Sequence, residues 1–359
     1  MNNVLKVHDV QLITESPVHI GDGTKIEKKQ YIYDPIAQKV KIVDLNCLYN
    51  HFHSIGRETA FTEFLLNRNK SLQNLVIEFK LNIDKFVKYE LDCSPLPGSD
   101  FKLREIISFT KDPYGYPYIP GSSLKGMLRS ALIAYKISCD QHLLNSLKVQ
   151  IEQDLESGTK GRSCLKKSAK SIESVFDKKI NDKESLKLMS GLIVSDSRPI
   201  MDDAPLVLAQ KIDYTLKGKE NALPIYKESL KPGIKVDFTV TIDTSVLNID
   251  VNYIRNALDF YQKMAFQYYY QKFGRGDTSS GTAWLGGGAG FTSKTLIYQM
   301  FMQDAPLITD QIFYKTLGNN YEKHHHDEYK RIITPHICKC TFYNGKLYDM
   351  GKCKINFIN

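Results

Sequence analysis

Polar and apolar positions alternate from Leu5 to Thr14, which predicts a strand, and the following Ser16-Pro-Val-His-Ile-Gly-Asp-Gly23 forces a turn at Pro17 and its two glycines. Tyr31-Ile-Tyr33 and Val40-Lys-Ile-Val43 read as a hairpin across Asp34-Pro35. From Leu45 to Val87 the apolar period changes to that of a helix, with Phe61, Phe64 and Leu65 on one face, so a helical insertion is expected over about 45–90. Ile106 to Thr110 is a further strand between two clusters of turn residues. Later, Leu192-Ile-Val194 and Leu206-Val-Leu-Ala209 read as short buried strands, Val236 to Ile242 alternates, and Val251 to Phe273 has the stripe of a long amphipathic helix. A glycine-rich turn and a second helix come next, and the tail from Ile332 mixes strands and turns. Strands interrupted by helices and irregular insertions suit an α+β architecture better than a doubly wound parallel sheet.

At 359 residues the chain has room for two packed units of unequal size. Its 48 Lys and Arg against 40 Asp and Glu leave a formal charge of +8, which favours a polyanionic partner. The tract from Lys160 to Lys187 carries nine Lys or Arg against four Asp or Glu and reads as a mobile or loosely helical basic insertion. Twenty-one tyrosines and 17 phenylalanines supply flat rings for stacking on bases, although most must fill the core. The seven cysteines are scattered without a CxxC pair, which fits a reducing cytoplasm and gives no signature of zinc or redox chemistry. Met1 to Lys6 has no apolar segment of a signal peptide, and no run approaches the ~20 apolar residues of a membrane helix. His324-His-His326 lacks partner ligands at fixed spacing, so no metal is expected there, and no motif calls for a cofactor.

Three stretches carry candidate chemistry. In Tyr118-Ile-Pro-Gly-Ser-Ser-Leu-Lys-Gly-Met-Leu-Arg-Ser-Ala-Leu132, Pro120 and Gly121 start a helix that Ser122 or Ser123 can cap. Leu124, Met127, Leu128, Ala131, Leu132 and Tyr135 form its apolar stripe, and Ser122, Lys125 and Arg129 share the opposite face, a natural phosphate seat at the positive helix end. Gly126, inside that helix, costs about 1 kcal/mol against alanine, and close approach of a backbone or ligand would explain it. In Trp284-Leu-Gly-Gly-Gly-Ala-Gly-Phe-Thr-Ser-Lys-Thr295, Gly286, Gly287, Gly288 and Gly290 can turn their amides toward one polyanion, with Lys294 beside them. Gly288-x-x-x-x-Ser293-Lys294-Thr295 nearly matches a P-loop, but serine replaces the required glycine and no buried strand is expected ahead of it. A Rossmann fingerprint fails for want of a third glycine. In Val194-Ser-Asp-Ser-Arg-Pro199, Arg198 could clamp a phosphate and Asp196 could cap a turn. Finally, His19 beside Gly21 could act as general acid or base in RNA cleavage, or simply be a hydrogen-bonded loop histidine. Arg275-Gly-Asp277 is a chance match to a cell-adhesion tripeptide.

Taken in order, Pro17-Val-His-Ile-Gly21, Tyr118-Ile-Pro-Gly-Ser-Ser-Leu-Lys-Gly126, Val194-Ser-Asp-Ser-Arg-Pro199 and Leu285-Gly-Gly-Gly-Ala-Gly-Phe-Thr-Ser-Lys-Thr295 resemble the repeat-associated mysterious protein (RAMP) superfamily, which builds the guide-RNA backbone of type III CRISPR complexes. The glycine loop, with Leu223-Pro-Ile-Tyr-Lys-Glu-Ser229 and Met350-Gly-Lys-Cys353, is similar to one subfamily, the subunit at the guide's 3′ end in the type III-A (Csm) complex. The resemblance implies two ferredoxin-like (RRM-like) units with helical and loop insertions. The first would span 1–215, with the helical insertion and a basic insertion at about 140–188, and the second 216–359, with the glycine loop. It implies a non-catalytic cytoplasmic subunit that seats the crRNA sugar-phosphate backbone near its 3′ end, contacts neighbouring backbone and small subunits, and recruits trimming nucleases. The RNA-binding residues would be His19, Gly21, Ser122, Ser123, Lys125, Arg129, Arg198, Gly286, Gly287, Gly288, Gly290 and Lys294. The alternatives are an endoribonuclease of the same superfamily using His19, and a nucleotide-binding switch at Gly288 to Thr295.

Overall fold

The alternating strand β1 (Leu5–Thr14) sits at the middle of an antiparallel sheet, burying Val10 and Leu12 while Leu5 and Val7 stay exposed. The structure, a computed structural model, describes residues 4–98, 101–180, 185–323 and 328–358. The remaining strands in chain order are β2 (Gly21–Ile26), β3 (Tyr31–Asp34), β4 (Lys39–Val43), β5 (Val87–Cys93), β6 (Ile106–Phe109), β7 (Asp177–Lys179), β8 (Ser185–Lys187), β9 (Leu192–Val194), β10 (Leu206–Thr215), β11 (Glu220–Leu230), β12 (Lys235–Asp243), β13 (Thr282–Trp284), β14 (Ile337–Tyr343), β15 (Lys346–Asp349) and β16 (Lys352–Phe357). The helices are α1 (Leu45–Ser54), α2 (Glu58–Leu66), α3 (Leu72–Phe79), α4 (Gly121–Ser138), α5 (Gln141–Glu156), α6 (Lys166–Glu173), α7 (Val251–Tyr268), α8 (Ile297–Phe301), α9 (Ala305–Leu317) and α10 (Asn320–Lys323). None of the described helices is long and apolar enough to cross a membrane.

The first sheet has the order β13-β16-β1-β12-β9. With α4 packed on β9 and on α7, the series β1-α4-β9-β12-α7-β16 forms the βαββαβ unit of a ferredoxin-like fold, its four strands in the order fourth, first, third, second. The first and last strands of this unit come from opposite ends of the chain. A second sheet, β2-β6-β11-β10-β5-β4-β3, is inserted into it. Here β10 bends at a bulge between Gln210 and Ile212, pairing in parallel with β5 before it and antiparallel with β14 after it. The expected division at 215/216 therefore cuts across the strand pairing: it falls in the turn of the β10–β11 hairpin, and both sheets take strands from both sides of it.

The helical insertion forms as the periodicity requires, and it carries a separate small core of Phe52, Phe61, Phe64, Leu72 and Leu75. Asp44 caps α1, and Ser71 with Asn74 forms a capping box on α3. Between Cys164 and Phe176 the basic tract is docked and not loose, and its residues 181–184 lie outside the described ones. Ser168 of α6 donates its amide and hydroxyl to buried Asp154 of α5 at 2.9 and 2.6 Å, and Cys164 and Phe176 are buried. Strand β9 is an edge strand with only Leu192 buried, while Ile193 is 52% exposed. The amphipathic helix stops at Tyr268, and a 3₁₀ turn over Tyr270–Phe273 ends it at left-handed Gly274. The histidine run His324 to His326 lies outside the described residues.

Candidate nucleic-acid interface

Helix α4 starts where sequence predicts, but its cap comes from elsewhere. Pro120 is the N-cap and offers no side-chain bond, so neither Ser122 nor Ser123 caps it. The first free amide, that of Gly121, donates to Asp196 Oδ1 at 2.7 Å. A β-carbon on Gly121 would lie 2.3 Å from the Ser195 carbonyl oxygen, so only glycine lets the Val194 to Pro199 turn close on the helix start. The expected phosphate seat at this terminus is thus taken by a carboxylate, which would repel a second anion. Ser122 stays exposed at the helix start and Ser123 is half-buried. Arg198, on the same turn, is exposed and lines a separate pocket whose lining also includes Asp9, Asp196 and Asp237.

The glycine loop follows buried strand β13, whose Trp284 stacks on Tyr270 at 4.4 Å, so the strand not expected ahead of the loop is present. Gly286 has φ +88°, and a β-carbon there would fall 2.1 Å from the His19 carbonyl oxygen. The neighbouring Gly287 amide donates to that same oxygen at 2.8 Å, and the Lys294 amide donates to Phe291 at 3.0 Å. Close backbone packing accounts for Gly286, and these two amides are spent inside the protein. Gly288 and Gly290 also have positive φ, beside Met350 and Lys339. A P-loop needs the loop amides free for phosphates, so the nucleotide-switch alternative loses its basis.

His19 is 3% exposed, its ring wedged against Gly21, Gly287 and Phe109. Its Nδ1 lies 2.6 Å from the Glu228 carbonyl oxygen, which can only accept, so this nitrogen carries the proton. Burial is the main force that brings its pKa down to about 4, which keeps the ring neutral at pH 7. This is a structural histidine, and placing it among residues that touch RNA is corrected by its enclosure. Below it, the fully buried Glu228 carboxylate accepts from Tyr89 Oη (2.5 Å), Ser108 Oγ (3.2 Å) and the Phe109 amide (2.8 Å), and is paired with Lys111 Nζ. The acid is satisfied from every side.

The opposite holds around the other end of the loop. Lys227 Nζ donates to the Gly287 carbonyl at 3.0 Å, and its pKa falls to about 8 through burial first and then repulsion from Lys294 and Lys211. Lys211 is lowered too, by burial and then by Lys339, which itself pairs with Asp213. On α4, Lys125 is lowered by burial and by Arg129 one turn on. Among the described residues, none of Lys125, Arg129, Lys211, Lys227 and Lys294 has a carboxylate within ion-pair distance. Arg129 and Lys294, from two of the motifs, line one cleft of about 400 Å³ together with Gly126. A β-carbon on Gly126 would meet nothing within 4 Å, so no protein backbone explains this helix glycine.

The structure therefore brings Arg129 and Lys294 to one cleft with Lys125 beside Arg129, separates Arg198, and buries His19. Sequence reasoning missed Lys211, Lys227 and Glu228. A signal existed for the last: Tyr226, Glu228 and Leu230 share one face of an alternating strand, so a carboxylate stands at a core position. Elsewhere, the Cys338 and Cys340 thiols and the Asp349 carboxylate lie within 4.8 Å of one another, but Asp349 is already paired with Arg275. Asp277 of the adhesion-like tripeptide is bonded to Lys352.

The RAMP superfamily profile matches residues 11–288. The chain is 26% identical to the CRISPR system Cms protein Csm5 of Mycobacterium tuberculosis (strain CDC 1551 / Oshkosh), with 99% of each chain covered. It is 27% identical to the protein of the same name from Streptococcus thermophilus, with 83% of this chain and 82% of that one covered. Among solved structures it resembles the crystal structure of T. onnurineus Csm5, with TM-score 0.62, 20% identity and coverage of 96% and 99%. It also resembles a chain in the cryo-EM structure of a Csm-crRNA-target RNA ternary complex of a type III-A CRISPR-Cas system, with TM-score 0.66, 19% identity and coverage of 98% and 100%.

Proposed function

The chain belongs to the RAMP superfamily, and from that premise we propose that it is a non-catalytic guide-RNA-binding subunit of a type III-A CRISPR (Csm) complex, seated at the 3′ end of the crRNA. Its partners are the crRNA and the neighbouring backbone and small subunits, with 3′ trimming nucleases as further contacts. Relatives matched along nearly their whole length carry the Csm5 name, which supports this assignment. The observation that carries the chemistry is a set of cations without carboxylate partners: Arg129 and Lys294 line one cleft, Lys125 lies one turn from Arg129 on α4, and Lys227 lies near Lys294 at the glycine loop. Cations that repel one another and lack internal acids gain most from phosphates, and phosphate contacts bind RNA whatever its bases. A guide with a variable spacer requires that indifference. The His19 endonuclease has no support, since its ring is enclosed and its Nδ1 is held by the Glu228 carbonyl.

The test is the salt dependence of crRNA binding. Arg129→Ala and Lys294→Ala should each flatten the log-log slope by roughly 0.7, the single-strand value per phosphate, with spacers of unrelated sequence behaving alike. Slopes equal to wild type in folded variants would remove both residues from the interface.

A further inference from the structure

The cleft that holds Arg129 and Lys294 is not a plain phosphate groove. Its walls are apolar, with Ile133 from α4, Ile151 from α5, Leu165 and Ile172 beside and on α6, and Phe291 from the end of the glycine loop. Phe291 is half-buried, and Phe313 braces its ring edge-on at 5.3 Å between centroids. About 400 Å³ lies within the range of pockets for small organic ligands. Glu173 is the one carboxylate on the lining, against the two cations.

Gly126 is the second, independent observation. Residues 126, 129, 130 and 133 follow the helical spacing of one face, so Gly126, Arg129, Ser130 and Ile133 form a single stripe of α4 along the cleft. Glycine inside a helix is unfavourable, yet here no atom beyond the helix's own backbone comes within 4 Å of where a side chain would begin, so packing against the rest of the protein does not require it.

We propose that this cleft receives one unstacked nucleotide of the bound RNA, its base laid against Phe291 and the isoleucines over Gly126 and its phosphate held by Arg129 and Lys294. The inference rests on the RNA-seating function proposed above and adds a place for a base. Every base has a flat face, so an apolar slot with one aromatic wall accepts any of the four, in keeping with a guide of arbitrary sequence. The cations make a free apolar ligand or lipid tail a poorer match than a phosphate-bearing base.

The experiment uses the full chain and guide RNAs that each carry one abasic nucleotide, walked through the 3′ segment. One position should lose about tenfold in affinity, the scale of a single base-aromatic stack, while the others stay within twofold. Phe291→Ala should weaken the intact guide similarly and abolish the difference between that abasic guide and the intact one. Gly126→Leu, which fills the cleft, should do the same, whereas its thermal midpoint stays at or above that of the wild type because glycine leaves a helix. If the abasic walk is flat while the intact guide still binds, the cleft holds no base and the phosphate-seating role survives. If the wild-type chain binds no guide at any position, the RNA-seating function itself fails, and this inference with it.

Discussion

Lys227 and Glu228 are neighbours on β11, and strand geometry sends them to opposite fates. Glu228 points into a shell of donors from Tyr89, Ser108, Phe109 and Lys111, and no solvent reaches it. Lys227 reaches the glycine loop, where it meets one carbonyl and two other lysines. Both clusters have the residue types of an active site, and only their internal balance tells them apart. A polar group satisfied from within holds the fold, whereas cations that raise one another's energy await an outside partner.

The largest effect should come from the satisfied side. Glu228→Ala leaves Lys111 without its counter-ion in the interior, and loss of one partner of a buried pair costs about 3–5 kcal/mol. Urea unfolding would measure it, and at temperatures where the variant stays folded its salt slope for RNA should match wild type. A stable Glu228→Ala protein that no longer binds RNA would reverse the roles assigned to the two faces of β11.

His19 sharpens the same contrast through pH. Its folded pKa of about 4 lies below the 6.5 of an unfolded histidine, so protonation favours the unfolded chain. The contribution to stability is intact above pH 6.5 and is lost as pH falls toward 4, where it amounts to about 3 kcal/mol. His19→Gln, which cannot titrate, should show a flatter stability profile between pH 6.5 and 4 in urea melts. Equal profiles would mean that the ring is more open to water than its 3% exposure indicates.

Much of this was legible in the chain, for reasons that differ from place to place. The alternation of β1 and β12 and the stripe of α4 are local periodicities, and they appear where expected. The division into units was not, because the ferredoxin-like unit is split: its first strand ends at Thr14 and its first helix begins at Gly121, with second-sheet strands between them. Parallel pairings such as β5 with β10 leave no trace in any local window. At the glycine loop the density of glycine pointed to close approach, but Gly286 makes room for the His19 carbonyl and not for a phosphate. The serines after Pro120 looked like caps because capping residues are common there, while the true cap, Asp196, comes from a turn far along the sequence. Lys211 and Lys227 sit on ordinary strands, and only the fold brings them to Lys294.

The smallest effect belongs to Lys227, and it addresses the open side alone. With a pKa of about 8 in the free protein, this ammonium is charged at pH 7 and mostly neutral by pH 9. A nearby phosphate would favour the charged form, so RNA binding should be linked to proton uptake and weaken as pH rises through 8. The loss of one such contact is about fivefold, or ~1 kcal/mol. Bases and other lysines also respond to alkali, so the informative quantity is the difference from Lys227→Arg, whose guanidinium stays charged throughout. That variant should bind like wild type at pH 7 and hold its affinity at pH 9, and Lys227→Ala should be weak at both. If wild type and Lys227→Arg fall together between pH 7 and 9, Lys227 is a strut beneath the glycine loop, and the boundary between holding the fold and holding RNA moves outward to Lys294 and Arg129.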